Sequence, residues 1–201
     1  MMPAIALVAA YLIGAIPFGF LLVKWKTGED IRLSGSGNIG ATNVTRTTGW
    51  TIGLATLILD IAKGYLAVWL AGRLTGASPL WMSAAAVAVM AGHAFPVFLR
   101  GTGGKAVASF TGAYLCLTPL PLAATAVVFI VIVAVTRHIS AGSIVGAATF
   151  PLAVWLISHP PLPVTIAAIA SGALILYRHR DNIERLRADK EHVFSIRGRA
   201  S

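Results

Sequence analysis

The chain has 201 residues, of which 57% are hydrophobic and 11% charged, with a formal net charge of +9 and a mean hydropathy of +0.80. Soluble domains carry roughly 25% charge, so this composition excludes an ordinary soluble fold and predicts an integral membrane protein. The single cysteine, Cys116, excludes an intramolecular disulfide.

The opening Met1-Met2-Pro3 lacks the basic residues of a cleaved signal, so the first apolar segment, 3–23, is expected to remain as a span. A polar loop over 24–49 follows, then spans over 50–72 and 79–98. The uncharged run from Ala106 to Thr136 is too long for one helix, and Pro119-Leu120-Pro121 divides it into helices over 106–118 and 122–136. The turn "SHPPLP", 158–163, divides the next run into spans over 141–157 and 163–178, and a basic tail occupies 179–201. The expectation is therefore an all-α integral membrane protein with seven transmembrane helices, forming a single domain over 1–201. With the C-terminus inside, Lys24, Lys26, Arg32, Arg46, Arg100, Lys105, Arg137 and the seven basic residues from Arg178 onward all lie on the inner side, and Arg73 lies outside. The positive-inside rule thus predicts the N-terminus outside and the C-terminus cytoplasmic. Much of the net charge is then topology signal and calls for no nucleic acid.

The inner loops hold most of the reactive side chains. "RLSGSGNIGATNVTR", 32–46, sets Gly35, Gly37 and Gly40 among Ser34, Ser36, Asn38, Thr42 and Asn43. Glycines let backbone N–H groups close around an anion, short polar side chains add donors, and Arg46 offers a planar fork for phosphate oxygens. The same composition also suits a flexible polar loop. Within span two, Asp60 and Lys63 are three apart on one helix face. Ionisable groups at membrane depth are costly and usually functional; a structural prop for the inner loops is favoured over a self-paired structural bridge or an ion path. His93 ends the third span, twelve residues before Lys105 across a loop that can fold back. It is a candidate general base or phosphate donor, or a structural histidine.

Gly103-Gly104-Lys105 directly precedes the helix over 106–118, where free N–H groups and the positive dipole end favour an anion. Ala106 after the lysine breaks the Walker spacing, and a glycine turn with a snorkelling lysine is the plainer alternative. That helix, at roughly 20 Å, is shorter than the ~30 Å hydrocarbon core. In "RHISAGS", 137–143, Arg137, Ser140 and Ser143 either extend an anion site or cap a helix. In "YRHRDNIERLRADKEH", 177–192, Arg178, Asn182 and Arg185 share a helical face. A solvated basic helix explains those charges but not His179 and Asn182.

Four ordered stretches, "SGSGNIGATNVTR", "LDIAKG", "GHAFPVFLRGTGGKAVAS" and "RHRDNIERLRADKE", resemble the signatures of the bacterial acyl-phosphate:glycerol-3-phosphate acyltransferases. The resemblance covers the whole chain. It implies a multi-pass enzyme of the bacterial inner membrane that transfers a fatty acyl group from acyl phosphate to glycerol 3-phosphate, releasing lysophosphatidic acid and phosphate. The site residues it implies are Ser36, Gly37, Asn38, Thr42, Asn43, Arg46, Gly103, Gly104, Lys105, Ser143, His179 and Asn182. Ser36, His93, Lys105 and Asn182 are nearest the chemistry, and Asp60 and Lys63 support them. Ser36, Gly103, Gly104 and Lys105 are expected around one phosphate; Arg46, His179 and Asn182 on the other phosphate or the glycerol hydroxyls. A mixed anhydride is already activated, so no cofactor, metal or covalent intermediate is required, and either His93 or a substrate phosphate takes the proton. Membrane lipid is an implied partner, and a homodimer is optional. The chain departs from the family pattern at Gly101, Ala106, Ser109 and Asp189. The H-x-x-x-x-D motif of soluble-type acyltransferases is absent, since Phe98 and Glu184 stand where the aspartate would be. An anion transporter would use similar basic loops but needs polar residues on both faces, and the outer side has few.

Overall fold

The computed structural model describes residues 1–193 and contains helices but no strand among them. The end of the predicted basic tail, 194–201, lies outside the described residues. The chain forms two compact units, Met1–Leu117 and a second beginning at Thr118.

In the first unit, the expected first span is built of two helices, α1 (Met2–Ala15) and α2 (Phe18–Thr27). Pro17 lacks an N–H and holds Ile16 in an extended conformation, which breaks the helix there. α2 stops at Gly28, left-handed at φ +76°. The expected polar loop then contains a short helix, α3 (Ala41–Thr48), that its β-branched sequence does not advertise. Tertiary burial wins over propensity: Val44 packs with Val23, Ile31, Ile39 and Leu99 in a cluster beneath the loop. α4 (Trp50–Leu74) and α5 (Pro79–Ala94) follow, then α6 (Val107–Leu117).

α1 packs on α5, and α4 on α6. The α4–α6 contact is backbone to backbone. A side chain at Gly64 would strike the Ser109 carbonyl, and one at Gly112 the Ile61 carbonyl. Small residues admit this approach where helices cannot rely on apolar burial.

In the second unit, α7 (Pro119–Thr136) packs on α8 (Ile139–Ser158), and α8 on α9 (Leu162–Arg178). The break in the long apolar run falls at Thr118, not within Pro119–Pro121. Both prolines sit in the first turn of α7, where a missing N–H costs nothing. α10 (Arg180–Arg187) bends from α9 by 58° at His179.

Apolar helices occupy all seven predicted segments. By length and composition five can cross a membrane: Met2–Thr27, Trp50–Leu74, Pro79–Leu99, Pro119–Thr136 and Ile139–Ser158. The bent pair α9–α10 makes a sixth. α6, with 11 residues, is roughly 16 Å long.

Candidate functional site

The loop before α3 is organised by one side chain. Asn43 is 2% exposed. Its Oδ1 accepts the Ser36 N–H at 2.9 Å, and its Nδ2 donates to the carbonyls of Ser34 at 3.0 Å and Asn38 at 2.9 Å. Asn38 Oδ1 accepts the Gly40 N–H at 2.8 Å, and the Gly37 N–H donates to Ser34 O at 3.1 Å. This corrects the sequence reading of the loop as a set of open N–H groups. Those of Ser36, Gly37 and Gly40 are spent on the loop itself, and Asn43 holds it together. Among the candidate site residues here, Ser36, Gly37, Thr42 and Arg46 are exposed. The last two are four residues apart on one face of α3.

The second glycine turn folds back on the end of α5. The Gly104 N–H donates to the His93 carbonyl at 3.0 Å. The place a side chain would take at Gly104 is filled by His93 Nε2, and that at Gly103 by the His93 carbonyl and Pro96. Lys105 is half-buried and α6 begins two residues later. Ala106, between them, is fully buried and left-handed at φ +62°. That is why α6 starts at Val107 rather than at Ala106 as expected.

Behind this turn lies a buried cluster. Lys63 Nζ is 2.7 Å from Asp60 Oδ1 and donates to the Ile16 carbonyl at 2.8 Å, across from the Phe18 ring. The same Asp60 oxygen lies 3.6 Å from His93 Nδ1, ion-pair range for a protonated ring but longer than a hydrogen bond. Asp60, Lys63 and His93 are 2–4% exposed. The i,i+3 pair was legible in the sequence; its partner His93 and its hold on the broken first helix were not.

Arg32, read from sequence only as a topology charge, joins the two loops. Its guanidinium forks onto Asp30, with Nη2 2.6 Å from Oδ2, and Nη1 donates to Thr102 Oγ1 at 3.2 Å. The hydrogen bond from Arg32 holds the Asp30 carboxyl below the usual carboxylate range, and Asp30 in turn raises Arg32.

In the second unit His179 and Asn182 are buried at the α9–α10 bend. His179 Nδ1 lies 2.8 Å from the Ile175 carbonyl, so this nitrogen carries the proton and donates. Asn182 Nδ2 donates to Glu191 Oε1 and Arg185 Nε to Glu191 Oε2, both at 2.9 Å. Glu191 was not singled out in the sequence; an acid nine residues past Asn182 in a basic segment is the available signal. Burial pushes its carboxyl up, but the hydrogen bonds from Asn182 and Arg185 outweigh this and hold it below the usual range. Ser143 Oγ donates to Ile139 O at 3.0 Å inside α8, and no side chain caps that helix. The capping alternative for Ser140 and Ser143 therefore does not hold.

The residues thus assemble as two groups. Ser36, Gly37, Asn38, Thr42, Asn43, Arg46, Asp60, Lys63, His93, Gly103, Gly104 and Lys105 belong to the first unit; Ser143, His179 and Asn182 belong to the second.

Residues 4–189 match the family model described as glycerol-3-phosphate acyltransferase. A glycerol-3-phosphate acyltransferase of Geobacter sulfurreducens is 45% identical over 185 residues, covering 92% of this chain and 94% of its own length. The one from Trichlorobacter lovleyi is 46% identical over 187 residues, covering 92% and 94%. A solved structure of PlsY (YgiH), an integral membrane glycerol 3-phosphate acyltransferase in its glycerol 3-phosphate form, superposes with a TM-score of 0.91 at 36% identity, covering 97% of this chain and 96% of that one. The lysophosphatidic acid form gives 0.88 at 34% identity, with the same coverage.

Proposed function

Since the chain belongs to the glycerol-3-phosphate acyltransferase family and is an acyltransferase of membrane phospholipid synthesis, we propose that its donor is a fatty acyl phosphate and its acceptor the sn-1 hydroxyl of glycerol 3-phosphate. The products are lysophosphatidic acid and inorganic phosphate. The enzyme works at the cytoplasmic face of the bacterial inner membrane, as seven spans with the N-terminus outside and the C-terminus inside.

The observation that carries this reading is the pair of separately anchored glycine-and-cation turns in the first unit. One bears Ser36 and Arg46, the other Lys105. A reaction between two phosphate-bearing substrates calls for two such places. Within the first unit, Ser36 and Lys105 serve one phosphate and Arg46 the other phosphate or the glycerol hydroxyls.

The attacking hydroxyl forms its C–O bond to the acyl carbon while the acyl carbon–phosphate oxygen bond breaks. Its proton passes to a phosphate oxygen of the substrate, which leaves as hydrogen phosphate. His93, 4% exposed with its ring edge against Gly104, suits this less well as a base. Positioning and charge stabilisation supply the acceleration. No acyl-enzyme forms.

The test is phosphate release by purified protein in lipid, given palmitoyl phosphate and glycerol 3-phosphate. Release is expected to depend on the acceptor, to fail with acyl-CoA, and to fall at least ~100-fold in Lys105→Ala. Turnover with acyl-CoA and none with palmitoyl phosphate overturns the donor assignment.

A further inference from the structure

We infer that His93, held by Asp60, is the positioning residue for Lys105: it fixes the backbone from which the lysine reaches phosphate. The inference rests on the proposed role of Lys105 as a phosphate ligand.

His93 grips the residue before Lys105 twice. Its carbonyl accepts the Gly104 N–H at 3.0 Å. Its imidazole edge fills the space where a Gly104 side chain would stand. Neither Gly103 nor Gly104 has a positive φ. These two positions therefore need glycine for room rather than for backbone direction, and His93 takes the room. On the far side of Lys105, Ala106 turns left-handed into α6. Lys105 thus lies between a clamped glycine and the left-handed Ala106 that opens α6, and its direction follows from both.

His93 is itself fixed from behind. Asp60 Oδ1 stands 3.6 Å from Nδ1 and 2.7 Å from Lys63 Nζ. Lys63 in turn holds the carbonyl of Ile16 at the break before α2. A line of buried polar contacts therefore runs from the broken first helix through α4 to the end of α5 and on to the turn carrying the lysine. Nothing in that line requires His93 to exchange a proton during turnover.

The test is a double-mutant cycle in the full-length protein in lipid: His93→Ala, Gly104→Ala and the pair, with Lys105→Ala and His93→Gln as references. Inorganic phosphate affinity is read by titration calorimetry, kcat and KM by phosphate release, and folding by thermal melting. Gly104→Ala alone drives a methyl into the ring and is expected to weaken phosphate binding about tenfold or more. In the pair, the space vacated by the ring admits that methyl, so the losses are expected to be strongly non-additive. His93→Gln, which keeps a polar side chain of similar reach, is expected to retain kcat within about threefold with an unchanged kcat–pH profile, short of the 10²–10⁴-fold expected for loss of a general base. If His93→Ala does not fold, His93→Asn takes its place in the cycle.

Additive losses overturn the proposal. So does a His93→Gln enzyme with normal phosphate affinity, kcat down about 100-fold and a lost pH limb, because that is the signature of a base. Phosphate affinity unchanged in Lys105→Ala overturns it as well. A non-additive cycle on phosphate binding without turnover on palmitoyl phosphate upholds this inference while sinking the donor assignment.

Discussion

In the loop over 34–40 glycine serves backbone direction, and at Gly35 room as well, because a side chain there would meet Asn43 Oδ1. Gly35 and Gly37 have φ of +60° and +69°, values that L side chains rarely adopt, and the loop is cross-braced by Asn43. In the turn at 103–104 glycine serves space, because the end of α5 presses against the backbone. The two stretches look alike as sequence, each a run of glycines with hydroxyls and a cation. They differ in what their neighbours demand. A glycine cluster near a cation therefore does not by itself show open N–H groups, since several of these amides are committed within the protein.

The largest effect expected from breaking this comparison is Asn43→Ala. It removes three hydrogen bonds from a buried side chain and strands loop donors and acceptors, at a cost of about 2–4 kcal/mol. Amide exchange should accelerate over 34–43 while residues 103–106 stay protected, because their clamp is His93. Equal acceleration in both stretches would show that the Arg32–Thr102 link makes them one cooperative piece.

The third motif is braced in yet another way, by Glu191 across Asn182 and Arg185, and this brace responds to pH. Its carboxyl lies below the usual range in the folded protein, so the unfolded chain binds the proton more tightly. The brace therefore contributes fully above the ordinary glutamate value of about 4.3 and is lost as pH falls through the lower folded value. Exchange in α10 should rise on acidification through that window. In Glu191→Gln it should be fast already at neutral pH and respond little to acid. A wild-type α10 indifferent to pH would remove Glu191 from the brace.

Most of the apolar helices were legible because they lie in long runs with little or no charge, and proline marks several boundaries: Pro79, Pro119 and Pro163 all lie in first turns. Pro17 was passed over because the run around it carries no charge, yet it makes the break whose carbonyl Lys63 captures. α3 was hidden because burial of Val44, not propensity, makes it a helix. The Asp60–His93 approach was hidden because it joins two helices across 33 positions, and no spacing rule reaches that far. Glu191 was hidden for a simpler reason: as one of four acids interspersed with the basic residues of 177–192, it reads as solvated charge.

The smallest effect concerns two non-glycine residues in the left-handed region, Ala106 and Asp189, with φ of +62° and +52°. A left-handed L residue costs roughly 1–2 kcal/mol, and Ala106→Gly removes that cost. Two terms oppose that gain. Removing a fully buried methyl costs about 0.8 kcal/mol, and the extra freedom of glycine in the unfolded chain about 0.4–1 kcal/mol. The sum is close to zero, so melting of Ala106→Gly should stay within about 1 kcal/mol of wild type. Asp189 is exposed and has no packed methyl to lose, and aspartate visits the left-handed region more readily than alanine does. Asp189→Gly should therefore change stability even less. A gain above about 1 kcal/mol in Ala106→Gly would mean that its methyl makes little of its burial, and that glycine at 106 serves direction as it does at 35 and 37.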